Sequence, residues 1–158
     1  MDNALFCTAG FIVGILVGYV VFLALTLEIR KGIQKLKFFY RLLVRWMLIK
    51  VNDKEIYSFF YERHMKKIII YGMKELGEIL YADLKHADLD IVQIIDRDAD
   101  KMYVDADMHV SYPDDLLENA DVIVVTAVTE FDSIKDNLSK KTKTSIVSLS
   151  QITGSFDV

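Results

Sequence analysis

Twenty-four consecutive residues, Ala4 to Leu27, carry no charge and are almost all apolar. No other feature restricts the chain as strongly. A helix of that length reaches across roughly 30 Å of hydrocarbon. The run also explains a mean hydropathy of +0.26 in a chain that is 27% charged. A secretory leader is the competing reading, and it wants bases ahead of the run and a small-x-small cleavage site behind it. The start is "MDN", with one acid and no base, and no Ala-x-Ala closes the run. The sequence therefore predicts an uncleaved transmembrane helix over residues 1–27. No Lys or Arg precedes it, whereas Arg30, Lys31, Lys35, Lys37, Arg41, Arg45 and Lys50 follow. The positive-inside rule then sets the N-terminus outside and the remainder in the cytoplasm, attached to the cell membrane by a single pass. Cys7, the one cysteine, falls inside the span, which excludes a disulfide framework within the chain.

The net charge of −4 conceals two opposed blocks. Residues 28–67 hold 11 basic and 4 acidic side chains, and residues 68–158 hold 8 basic and 18 acidic ones. A basic collar beside the span suits anionic membrane lipid, and the acidic body argues against nucleic acid as a partner. The collar, "EIRKGIQKLKFFYRLLVRWMLIK" (28–50), has helical periodicity. It either continues the membrane helix, lies along the interface, or packs an apolar face on the cytosolic body. Asn52-Asp53 offers a cap for a short aromatic helix over 54–65, so residues 28–65 form a basic juxtamembrane segment.

From Lys66 to Val158 strands and helices alternate. The apolar runs 66–72, 90–96, 121–127 and 144–150 read as buried parallel strands, with a short one at 108–112. Helical spacing marks 75–87 and 130–141, and Pro113 opens a further helix through "DDLLENA". Such alternation with right-handed crossovers predicts an α/β domain, a Rossmann-like parallel sheet of order 3-2-1-4-5.

The turn "YGMKELG" (71–77) is where such a fold binds a dinucleotide. The first glycine allows the tight turn, the second lets backbone approach the pyrophosphate, and the third lets the helix pack closely. Gly72 and Gly77 fill the first and third positions, and Lys74 fills the second. If position 74 needs a positive φ, lysine costs about 1 kcal/mol and its stem crowds the phosphate path. Alternatively its ammonium meets a phosphate as a point charge. Asp96, twenty-four residues after Gly72 at the end of the second strand, stands where a carboxylate accepts ribose hydroxyls. Pairing with the adjacent Arg97 is its competing role. Thr126 and Thr129 follow the fourth strand at the ligand-binding edge, where they touch a ligand or cap the next helix. The cofactor-binding candidates are thus Gly72, Lys74, Gly77, Asp96 and Thr126, for NAD or a nucleotide-sugar. No nucleophile-and-base pair is visible. The "YADLK" match (81–85) to a Tyr-x-x-x-Lys pair lies on the wrong helix, and His64, His86 and His109 lack metal-ligand spacing. In the span, Gly10, Gly14 and Gly18 recur every four residues, which lets a second helix approach, from another copy or another membrane protein.

Residues 45–152 resemble the Rossmann-like modules appended to bacterial cell-surface polysaccharide enzymes, notably certain glycosyltransferases. The matches are Trp46, "IIIYGMKELG", "IIDRDAD", "DVIVVTA" and "SIVSLSQI". The departures are Lys74 for a glycine and a membrane helix in place of a transferase domain. The resemblance implies a bacterial accessory module near surface-glycan assembly, binding a nucleotide, a nucleotide-sugar or a partner enzyme. Two other classes stay open: an enzyme using NAD or a nucleotide-sugar, and a structural docking or oligomerisation module.

Overall fold

The architecture comes from a computed structural model that describes residues 2–101, 110–116 and 119–158, without the side chains of residues 2–10 and 12. Cys7 and the surroundings of Gly10 therefore lie outside the described residues, as does His109. The chain divides into two compact units, Met1–Arg41 and Leu42–Val158.

Residues 2–41 of the first unit belong to helix α1, which runs unbroken from Asp2 to Val51. No proline interrupts those residues, and 19 of the 50 are leucine, isoleucine or phenylalanine. One stretch of this helix has a mean hydropathy of 1.9 and is long and apolar enough to cross a membrane. The expected helical character of 28–50 is present, as a direct continuation of the same helix.

The second unit begins with the last turns of α1. Leu42, Trp46 and Ile49, spaced four and three apart, are buried. Trp46 Nε1 donates to Asp83 Oδ2 at 3.1 Å. Lys50 Nζ pairs with both Glu55 and Asp83. Arg45 donates to the carbonyls of Thr153, Gly154 and Phe156 at 2.8, 3.2 and 2.8 Å, satisfying acceptors that a helix end leaves open. Two of the basic side chains after the span, Arg45 and Lys50, are thus absorbed by the body. The cap expected at Asn52-Asp53 works on the other side. Asn52 Nδ2 donates back to Leu48 O at 2.7 Å, and Asp53 adopts a φ of 53° that ends α1. The helix expected over 54–65 shrinks to one turn, α2 (Ser58–Tyr61). Phe59 and Phe60 are buried there, and packing rather than propensity decides its length.

The rest is the doubly wound sheet. Strands β1 (Lys67–Tyr71), β2 (Asp90–Ile95), β3 (Val110–Ser111), β4 (Val122–Val125) and β5 (Ser145–Ser148) are all parallel, in the order β3-β2-β1-β4-β5. Helix α3 (Glu75–Leu84) joins β1 to β2, and α4 (Phe131–Leu138) joins β4 to β5. The central strands β1 and β4 are buried on both faces, so Ile68 to Ile70 and Val122 to Val125 read as continuous apolar runs. Ile69, Tyr71, Ile95 and Ile123 pack with Ile134 and Leu138 of α4. Met73, Ile94, Ala99 and Val110 form a second cluster.

Two expected elements are shorter. The helix opened by Pro113 is a 3-10 turn over Pro113–Asp115, followed by extended Leu116, with 117–118 outside the described residues. The last strand stops at Ser148, because Ser148 and Gln151 close a capping box that starts α5 (Leu149–Gly154).

At the amino edge, Asp121 Oδ2 accepts from the N–H groups of Lys66 and Lys67 at 2.8 Å each, and Asp121 N donates to Lys67 O. Those backbone donors, Lys67 first, hold its carboxyl below the ordinary value of 3.8. A lowered folded value means the contribution is complete above the unfolded pKa and is lost as pH falls through the folded one. Asp121→Asn should therefore flatten the acid side of the stability profile while leaving its shape near neutral pH alone. Urea midpoints measured at neutral pH and in acid check this.

Candidate functional site

The paired strands end together. Tyr71, Ile95 and Val125 are in register across the central three strands, so the loops after them converge at the carboxyl edge, where folds of this kind bind ligands. Four of the five candidate residues meet there in one knot. Gly72 has φ +95°, which a side chain rarely tolerates, and its N–H donates to Ile95 O at 2.7 Å. A Cβ on Gly72 would stand 2.7 Å from Thr126 Oγ1. Thr126 is buried and donates to Gly72 O at 2.6 Å. A Cβ on Gly77 would stand 2.1 Å from the same Gly72 O, so α3 approaches the turn only because position 77 is glycine. Asp96 is buried; its Oδ2 accepts from Met73 N at 2.7 Å and its Oδ1 from Asp98 N at 2.9 Å.

The side-chain oxygens of this knot, those of Asp96 and Thr126, have internal roles. The Asp96 carboxylate binds the turn out of β1 to the turn out of β2, and the Thr126 hydroxyl closes the carbonyl that Gly77 packs against. Asp96 does not pair with Arg97, as sequence adjacency suggested. Arg97 reaches Glu130 Oε2 at 2.7 Å, and that bond raises its already high pKa. Thr126 and Thr129 do not cap α4, whose N-cap is Glu130 without a side-chain bond.

Lys74 stands apart from the knot. Its φ of −77° and ψ of −168° are open to any residue, so the backbone cost conditional on a positive φ does not arise. It is the N-cap of α3, makes no side-chain cap bond, and its side chain is 69% exposed with Nζ 3.9 Å from Asp98 Oδ2. At that exposure the pair adds little. Glu75 and Glu78 occupy the first turn of α3, where carboxylates suit the helix dipole.

On the α4 side the edge opens into a cleft of about 410 Å³ lined by Tyr71, Arg97, Pro113, Glu130, Asn137 and Lys141 among others. Burial raises the Tyr71 phenol above its ordinary value, against the pull of Arg97. Arg97 and Lys141 are each held by an acid, Glu130 and Asp114. Tyr81 of the "YADLK" match packs against the Met73 cluster. Among the described residues no three His, Cys, Asp or Glu side chains converge as metal ligands.

Sequence reading did not single out Asp98 or Glu130. Asp98 lies two residues beyond Asp96, and an Asp-x-Asp after a strand is a signal for a carboxylate folded back on its own loop. Glu130 lay inside a helical run and carried no local mark. No family model, curated protein or solved structure matches the chain.

The knot makes a contrast testable. Gly77→Ala forces α3 away from Gly72 O and should cost about 3 kcal/mol. Lys74→Gly should change stability by no more than about 1 kcal/mol, because only backbone entropy is altered. Denaturant unfolding of both variants decides it; equal losses would mean the third glycine is not a packing residue.

Proposed function

We propose that the chain is a single-pass, membrane-anchored accessory protein whose Rossmann-like body docks a partner enzyme at the cytoplasmic face, without a reaction of its own. One observation carries this reading. Asp96 and Thr126, the side chains best placed to hold a ribose, are buried and bonded to the turn itself. A ligand would have to break those bonds, leaving buried donors unpaired at about 1–3 kcal/mol each. The uncharged run within α1 supports the anchor, and the bases confined to its C-terminal side support the orientation. The link to surface-polysaccharide assembly rests on the resemblance of residues 45–152 alone. For docking, an apolar groove of about 540 Å³ lies between the last turns of α1 and α3, lined by Leu43, Met47, Val51 and Ile79.

A nucleotide or nucleotide-sugar is the second reading, and Lys74 favours it. Its exposed ammonium stands at the uncapped N-terminus of α3, where an anion is welcome. Thermal unfolding of the detergent-solubilised chain against millimolar NAD(H), UDP-sugars and S-adenosylmethionine separates the two. No shift is expected. A shift with one class, abolished by Lys74→Gly, would replace the docking reading with the nucleotide one. For the anchor, the chain should stay with membranes through carbonate washing, and a C-terminal GFP fusion should fluoresce. Release by carbonate would remove the anchor, and a dark fusion active as a phosphatase chimera would reverse the orientation.

A further inference from the structure

The helix α1 has two apolar faces, and the body uses one. Leu42, Trp46 and Ile49 are buried. Ile29, Ile33, Leu36, Tyr40, Leu43 and Met47 follow one another at spacings of 4, 3, 4, 3 and 4, and all six are 39–70% exposed. At 100° per residue the centre of this row lies roughly 130° round the helix from the buried face. Unequal burial therefore does not come from one broad stripe. The alternation of four and three is the seam of a coiled coil. Neither lipid nor a single apolar groove requires it over three heptads.

The row continues into the span. Gly14 and Gly18 fall within roughly 60° of its midline, and a Cβ at either would meet nothing within 4 Å. The five bases of residues 30–41 all lie at least about 80° away from that midline, so two such faces can meet without bringing positive charges into the contact.

We infer that α1 pairs with a second copy of the same chain, in parallel and in register, along Ile29, Ile33, Leu36, Tyr40, Leu43 and Met47. This rests on the membrane-anchored reading, because two copies inserted with one topology can only meet in parallel. A seam of identical faces is what a two-fold contact needs. Six large apolar side chains from each copy bury on the order of 1,000 Å² across the pair, where specific interfaces begin, and the glycines of the span add to it. Leu43 and Met47 also line the apolar groove beside Ile79, so the seam and the enzyme-docking groove share those two side chains.

Single cysteines placed in a Cys7→Ala background of the full chain, oxidised in membranes, test the register. Leu36→Cys and Leu43→Cys should yield dimer, and Lys35→Cys, on the far side, about tenfold less, as expected when a contact is worth about 1.4 kcal/mol. Equal yields at 35 and 36, or none at 36 and 43, would overturn the inference, and so would cross-linking at 36 to a product of another mass. Leu36→Glu with Tyr40→Glu provides a second measure. Both sites are exposed, so the body should keep its melting temperature while the dimer fraction in nanodiscs falls about tenfold; an unchanged dimer fraction counts against the seam. Carbonate extraction is read separately. A chain released from membranes that still cross-links at 36 and 43 only would keep the seam and lose the anchor.

Discussion

The contact on which the body depends is the closure of α3 onto the carbonyl of Gly72. That carbonyl receives the Thr126 hydroxyl and lies where a side chain at position 77 would have to be. Around it, Asp96 ties the ends of β1 and β2 through two N–H bonds. Three loops from three strands are thereby fixed at one edge. A buried carboxylate is costly unless its lone pairs are used, and here the chain itself uses them. The same atoms that hold the edge together are those a dinucleotide would contact in folds of this kind.

Most of the sheet was legible because its signals are local. β-branched runs buried on both faces, a glycine after the first run and helical spacing in between are enough for the strand order. The ends were less legible. Ser148-x-x-Gln151 is a capping box, yet it follows an apolar strand so closely that the strand seemed to run on. The segment 54–65 has helical composition, but Asp53 and His64, both at positive φ, bracket a single turn. Positive φ at non-glycine residues leaves little trace in sequence.

At the site, sequence spacing brought out four residues that the fold places together, each bonded within its own loops. Gly72, Gly77, Asp96 and Thr126 do converge, because the fold brings the carboxyl ends of β1, β2 and β4 together. Spacing cannot say whether Asp96 faces a ribose or its own loop; that depends on where the Met73 and Asp98 N–H groups point. The backbone cost weighed for Lys74 depends on a positive φ that position 74 does not have. The turn places its positive φ at Gly72, so position 74 is extended and accepts lysine without strain. The basic collar divides similarly. Arg45 and Lys50 belong to the body's own bonding, and the helix face that decides this is invisible in a count of charges.

The bonds made by Arg45 also set an order of events. Its acceptors are the carbonyls of Thr153, Gly154 and Phe156, more than a hundred residues later in the chain. While the protein is being synthesised, the C-terminal turns of α1 emerge before α5, and the Arg45 guanidinium then has none of these acceptors to hold. Only when α5 has formed are those carbonyls presented, and the first and last helical segments of the body lock together. Closure of the body's first helical segment thus waits on α5, and the two ends of the body's sequence form one packing unit.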